Sequence, residues 1–348
     1  MADTDTMQAG FFTGNRTMQL REAPKPTAGQ GQVLLRVLAC GVCGTDHHIH
    51  EGDVTDGVVP PVVLGHEIAA RVEALGADVT EFRQGQFCAV DPVIGCGRCP
   101  LCRQGRPNLC PTPTVIGYRL NGGFAQYVLV PASKVIPMDE SVGPAGAVLC
   151  ETLACVLNGY RRLGLAPGAS AMILGAGTVG LLWARMLANS PCHKLLQTEI
   201  VPFRRDKAAR LGADVVLDAA DADWPDRVRA ELPGGVDYII DATGDPAAVQ
   251  QAVDLLAPGG TLLIFGVCPQ QAEIRIRPFQ LYRHEQRIIA SRMPPRTLDA
   301  SARLIESGRI PCEEIVTGTF GLDELAARIE GFNDHRDQHV KVAIDPWQ

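Results

Sequence analysis

Aromatic residues make up only 5% of the 348-residue chain, which leaves little material for the stacking platforms that hold single-stranded nucleic acid. Basic charge is not in surplus either. Asp and Glu number 39 against 32 Lys and Arg, for a formal net charge of -7, so the clustered cations a polyanionic partner requires are missing and no nucleic-acid partner is expected. Long unbroken apolar runs are also lacking. The most apolar stretch, residues 171–187, is interrupted by Gly175, Gly177, Gly180 and Arg185, so no membrane span is expected. The first residues are acidic and lack the basic-then-apolar profile of a secretion signal, which points to the cytoplasm. Internal repeats and low-complexity segments are absent.

What the chain does have is 12 Cys, 36 Gly, 25 Pro and enough hydrophobic residues (46%) for a large core. Its length suggests two domains. In a reducing compartment, grouped cysteines bind metal or do chemistry more often than they form disulfides. One group lies in Cys40-Gly41-Val42-Cys43-Gly44-Thr45-Asp46-His47-His48-Ile49-His50, a dense set of thiols, imidazoles, a carboxylate and a hydroxyl joined by small residues that let the backbone turn. It reads as the lip of a metal site. Gly65-His66-Glu67 follows an apolar run, so an imidazole and a carboxylate emerge together at a strand end. The other group is Cys96, Cys99, Cys102 and Cys110, a C-x2-C-x2-C-x7-C spacing in a loop rich in Gly, Pro and Arg. Thiolates two residues apart can close tetrahedrally on zinc around a turn. An iron–sulfur cluster is the competing reading, because Pro111 follows the last cysteine, and spacing alone leaves both open. Cys40, Cys88, Cys155, Cys192, Cys268 and Cys312 read as packed thiols. His47 and His50 are expected in supporting or neutral roles, His50 facing solvent, and Asp46 either anchors a turn or joins the chemistry.

Up to about residue 134 the pattern predicts short strands and turns rather than helices, with strands near 32–38, 69–75 and 122–130. A helix over 146–162 carries Cys150 and Glu151, and a buried strand over 170–174 runs into Gly175-Ala176-Gly177-Thr178-Val179-Gly180 and a further helix. This is G-x-G-x-x-G between a strand and a helix, where glycines allow a tight turn and close approach of a pyrophosphate to the helix N-terminus. Trp183 on that helix is expected to pack in the core. The next strand ends at Glu199, nineteen residues past Gly180, where a carboxylate holds ribose hydroxyls and repels a 2′-phosphate. That favours NAD, although Arg204 or Arg205 could face a phosphate or cover the adenine. Alternating helices and strands continue to residue 265, defining a doubly wound α/β sheet. Residues 241–244 and 265–267 fall at carboxyl ends of strands, where such sheets bind ligands. Beyond Arg292, Pro294 and Pro295 break the pattern, and the last fifty residues are expected to rejoin the first domain.

In order and spacing these motifs resemble the zinc-dependent medium-chain dehydrogenases, the family of alcohol, sorbitol and threonine dehydrogenases. The resemblance covers nearly the whole chain and is nearest to the sorbitol/polyol branch. It implies a β-rich GroES-like catalytic domain over 1–154 and 291–348, and a Rossmann doubly wound parallel-sheet cofactor domain over 155–290. It implies a catalytic zinc on Cys43 and His66, with Glu67 and Glu151 as acidic ligands, direct or through water, and a structural zinc on Cys96, Cys99, Cys102 and Cys110. Glu151 matches the polyol branch except that Thr152 stands where that branch has Pro; Cys150 is the neighbouring alternative. Thr45 would relay the substrate proton and His48 would be the outer group of the relay. The cofactor would meet Gly175, Gly177, Thr178, Val179, Gly180, Glu199, Arg204, Thr243, Phe265, Gly266, Val267, Ser291 and Arg292. The implied activity is reversible hydride transfer between NAD, less readily NADP, and a polyol or secondary alcohol. Alternatives are an amino alcohol, a sugar phosphate, an antibiotic precursor, or a catalytically silent NAD-binding protein, whose mark would be a lost zinc ligand. A homodimer or homotetramer is implied, with the sheet edge near residues 261–267 as interface.

Overall fold

A computed structural model of the chain describes residues 5–294 and 296–348; the helix-breaking role expected of Pro295 and the acidic first four residues lie outside them. The chain forms two units. One comprises residues up to Ala154 with Met293–His335 and Lys341–Gln348; the other comprises Cys155–Arg292 and Arg336–Val340.

In the first unit, strand Gln32–Gly41 is the hub. It pairs antiparallel with Glu67–Leu75 and Tyr127–Pro131, and its last residues pair with Lys341–Asp345, which runs parallel to Val316–Gly321. Its side chains are buried almost throughout, with Val33, Leu35 and Val37 packed among Ile68, Val72, Phe124, Val128 and Ile344. Full burial of each such aliphatic side chain contributes roughly 1.5–3 kcal/mol. Register then positions chemistry: Gly41 stands opposite Glu67, so Cys43 and His66 leave neighbouring strand ends at the same edge.

The stretch expected to turn instead forms a helix, Gly44–Glu51. Cys43 is its N-cap in extended conformation, Asp46 returns a capping contact to the Cys43 amide, and Gly52 ends it in the left-handed region at φ 87°. Cysteine is not a preferred cap, so the helix start carries no ordinary signal. The helix expected over 146–162 is present as Gly143–Leu163, slightly longer at both ends. Among the described residues it is the segment long and apolar enough to cross a membrane, yet 72% of the relevant window is buried within the protein, and Val148, Leu149, Leu153 and Val156 are fully enclosed.

The second unit is built on a six-stranded parallel sheet. Its order is Val215–Asp218, Lys194–Glu199, Ser170–Leu174, Val236–Asp241, Leu256–Ile264, Arg287–Ala290. Successive strands run outward one way from Ser170–Leu174 and then the other, which creates the switch point where such sheets bind dinucleotides. Ser170–Leu174 is buried at every position, as a parallel strand covered on both faces should be. Trp183 is fully buried and meets Phe265 edge-on at 5.8 Å. Two expectations need correction. The edge strand is Arg287–Ala290, because Leu256–Ile264 is paired on both sides. Residues 336–340 belong with this unit rather than the first: Arg204 donates to the His339 carbonyl at 2.9 Å and Thr178 Oγ1 to the Val340 carbonyl at 3.3 Å. Ser291 and Arg292 also group here, tied to Asn158.

Candidate functional site

Cys43, His66 and Glu67 converge in the first unit, each offering a donor atom within 4.8 Å of the others. Asp46, fully buried, anchors the start of the helix and reaches toward His66. One carboxylate oxygen accepts from the Cys43 amide at 2.9 Å, and the other lies 3.6 Å from His66 Nδ1. Both atoms of that second contact are buried without a hydrogen bond. Burial alone would lower the His66 pKa, but the charge of Asp46 foremost, with the Cys43 thiol, holds it well above the ordinary histidine value. With the carboxylates of Asp46 and Glu67 both fully buried beside a thiol, the site is short of positive charge. A soft thiolate, an imidazole and a carboxylate around that deficit fit zinc, which the donor chemistry favours over harder cations.

Thr45 Oγ1 stands 3.6 Å from the Cys43 sulfur. Three residues further along the same helix, His48 is partly exposed, with Nδ1 3.3 Å from Asp53. His47 bonds the Ile329 carbonyl through Nδ1 at 2.9 Å and stacks on Phe332, a supporting role. His50 does not face solvent: it is 3% exposed, with Nδ1 3.2 Å from Glu51 and its ring near Phe12. Helix formation turns it inward, where a loop would have left it outside.

Glu151 is buried on helix Gly143–Leu163 but is not one of the three clustered donors. Its charge is nonetheless felt at the Tyr118 phenol, together with those of His66, Cys43 and Asp46. Cys150, the neighbouring alternative, is also not among the clustered donors. Its thiol points to the Leu298 carbonyl at 3.8 Å and burial pushes its pKa up to about 12. Thr152, the departure from the branch pattern, donates to Glu67 Oε1 at 2.7 Å.

Two residues here carried no sequence signal. Lys341, 3% exposed, forms an ion pair with Glu67 Oε2 and donates to the Val42 carbonyl at 3.0 Å. Burial would lower its pKa; Glu67 foremost, then Cys43 and Asp46, raise it above the usual lysine value. Tyr118 sets its ring edge-on to His66 at 5.8 Å, and burial holds its phenol protonated well beyond the usual range. Gly41 is required by space: any Cβ there would collide with Glu67 Oε2.

The four-cysteine lobe is a separate cluster, its sulfurs also mutually within 4.8 Å. Backbone amides cradle them: Cys99 N donates to Cys96 at 3.3 Å, Cys102 N to Cys99 at 3.4 Å and Cys96 N to Cys110 at 3.4 Å. The amides of Arg98 and Cys99 bring Cys96 down to about 6, while burial pushes Cys102 up to about 11. Four thiols with preset amide donors and no disulfide among them suit a closed tetrahedral zinc site.

In the second unit, Gly175 adopts φ +91°, and a side chain on it would press on Thr243. One on Gly180 would strike the Gly175 carbonyl, so the helix can approach the turn only as glycine. Gly177 caps helix Thr178–Ala188 with open space around it save Arg204 at 4.0 Å. The first amides of that helix, at Thr178 and Val179, therefore face a cradle suited to phosphate. Glu199 accepts from the Ala176 amide at 2.7 Å and from Ile200 and Val201 at 2.8 and 3.0 Å, which fixes its carboxylate beside the glycine turn. Arg205 is engaged by Asp218 at 2.8 Å, so Arg204 is the arginine left facing the turn. Asp241, fully buried, ties the two neighbouring loops: it accepts from Thr243 Oγ1 at 2.6 Å, and its carbonyl accepts from Phe265 and Gly266. Val267 beyond them is 61% exposed.

Comparison with known proteins agrees with this arrangement. Residues 29–140 match the alcohol dehydrogenase GroES-like domain, and residues 178–307 match the zinc-binding dehydrogenase family. The chain is 33% identical over 323 residues to D-altritol 5-dehydrogenase of Agrobacterium fabrum, covering 92% of this chain and 94% of that protein. Among solved structures, a zinc-binding dehydrogenase of Sinorhizobium meliloti 1021 bound to NADP superposes with a TM-score of 0.94 at 33% identity, over 99% of this chain and 100% of that one. An alcohol dehydrogenase of Escherichia coli CFT073 in complex with NADH gives a TM-score of 0.91 at 27% identity, over 98% and 100%. The fold and clusters thus define a nicotinamide-dependent oxidoreductase of alcohols or polyols that uses zinc. The chain belongs to the zinc-dependent medium-chain dehydrogenase family, in its polyol branch.

Proposed function

We propose that the chain oxidises one secondary hydroxyl of a polyol to a ketone, reversibly, with NAD as the preferred hydride acceptor. The observation that carries this reading is the convergence of Cys43, His66 and Glu67 beside Thr45. These three residues would hold the catalytic zinc, with Glu151 as the nearby acid, and Cys96, Cys99, Cys102 and Cys110 would hold a structural zinc. Bound zinc polarises an alcohol oxygen and lowers its pKa, and bound nicotinamide accepts the hydride. Thr45 Oγ1 takes the hydroxyl proton at the floor of the site, and His48, partly exposed on the same helix, passes it toward solvent. Tyr118, kept neutral by burial, is a hydrogen-bond donor for a second hydroxyl. The altritol specificity of the Agrobacterium fabrum relative supports a polyol, and the full ligand set weighs against a silent protein.

The fixed Glu199 carboxylate favours NAD, with Gly175, Gly177, Thr178, Val179 and Gly180 around the pyrophosphate. Thr243, Phe265, Gly266, Val267, Ser291 and Arg292 would line the nicotinamide side. The NADP-bound relative is the reason to test Arg204. The first unit would be the GroES-like catalytic domain and the second the Rossmann domain. A homodimer would join through the free edge of Arg287–Ala290, since exposed edges tend to be covered, and the cytoplasm suits the free cysteines. A panel of polyols, secondary alcohols and amino alcohols, followed by NADH and NADPH absorbance, tests the proposal. The expected result is a polyol oxidised with NAD ahead of its monodeoxy analogue; equal rates on the two would remove the role given to the second hydroxyl.

A further inference from the structure

The buried charges around Cys43 do not balance through the metal ligands alone. Asp46 and Glu67 are fully buried; with the Cys43 thiolate they place three anions around one divalent cation. A buried surplus of charge is costly. Lys341 is the buried cation among them, 3% exposed. It arrives from strand Lys341–Asp345, and its ammonium reaches Glu67 Oε2 and the Val42 carbonyl. Thr152 engages the other oxygen of the same carboxylate, while Gly41, having no side chain, leaves the space that Glu67 Oε2 occupies. Glu67 is therefore held from both oxygens by protein groups while also offering a donor to the metal cluster.

We propose that Lys341 is a positioning residue of the metal centre, one that competes with the metal for Glu67 and so keeps the metal weakly neutralised and electrophilic. This rests on the reading of Cys43, His66 and Glu67 as a zinc site. Two opposed predictions separate competition from mere support. If Lys341 only oriented Glu67, removing it would weaken metal binding, as loss of groups that orient ligands does by about 10–100-fold. If it competes, removing it frees the carboxylate and relieves repulsion, and metal is held more tightly.

The test uses the full-length chain with cobalt in place of zinc at the Cys43 site, comparing wild type with Lys341→Met, Lys341→Gln and Lys341→Arg. Expected for both neutral variants are a shifted visible cobalt band, slower release to a chelator, and a fall in kcat on the order of tenfold. Lys341→Arg should restore band and release rate. Lys341→Gln keeps a polar group near Val42 and serves if Lys341→Met does not fold. Faster release, or an unchanged band and rate, in a folded neutral variant overturns the proposal. Cys43→Ala is the separate control: if it leaves the cobalt band intact, the zinc-site reading itself fails.

Discussion

The two cysteine-bearing clusters of the first unit are built in opposite ways. The lobe draws all four donors from Cys96 to Cys110, and its amide cradle comes from the same short segment. The Cys43 cluster draws on the ends of two paired strands, a helix start, the long helix and the final strand. The lobe is a set of four identical donors with no ion-paired lysine or arginine on them among the described residues. The other mixes three donor types, leaves buried polar atoms without hydrogen bonds and contains a lysine paired with one of its own donors. Closure suits a metal that holds structure; a mixed set with a competitor suits one that must exchange a ligand.

The largest effect that would break this contrast is in thiol reactivity of the metal-free protein. Cys96, held at about 6 by amides, is a thiolate at pH 7, whereas Cys88 and Cys150, pushed up to about 12 by burial, stay protonated. Alkylation mapped by mass spectrometry should label Cys96 first and Cys88 and Cys150 last, with thiolate populations differing on the order of 10^5-fold. The sign is fixed: the fold favours the Cys96 anion, so its reactivity is lost as pH falls through about 6. Zinc should protect Cys96. Labelling of Cys150 ahead of Cys96 would break the contrast.

Next in size, Thr45→Val should cut kcat by about 10^2–10^4-fold, the usual worth of a positioned proton-transfer group, with zinc content and melting temperature unchanged. A kcat within a factor of about two of wild type would remove Thr45 from the relay. Smaller still, Gly41→Ala should destabilise the fold by about 1–3 kcal/mol through overpacking, seen in urea unfolding, because the new methyl meets Glu67, Lys341 and Val148. Gly97→Ala in the lobe meets no atom within 4 Å and should cost less, chiefly through its φ of +71°. A reversed order would mean that the Cys43 cluster is the looser of the two.

The same contrast explains what could be read from the sequence. Local chemistry was legible: the cysteine spacing of the lobe, Gly175 to Gly180 between strand and helix, and the parallel sheet with its fully buried strand Ser170–Leu174. Cys43, His66 and Glu67 could be grouped because each sits in a short motif. What depends on distant pairing was not legible. Lys341 contacts a carbonyl 299 positions away and looks like any lysine in a final strand. Tyr118 meets His66 only because the intervening strands fold back. His50 turned inward because a cysteine-capped helix replaced a loop, and the true sheet edge, Arg287–Ala290, depended on one further parallel pairing.

The most direct test of the central claim is zinc content per chain, measured with NAD-dependent polyol oxidation, for wild type, Cys43→Ala and Cys99→Ala. Wild type should hold about two zinc ions. Cys43→Ala should keep the lobe zinc and form no NADH, while Cys99→Ala should lose the lobe zinc and melt earlier. If Cys43→Ala kept both ions, or oxidised the polyol near the wild-type rate, the catalytic centre would lie elsewhere.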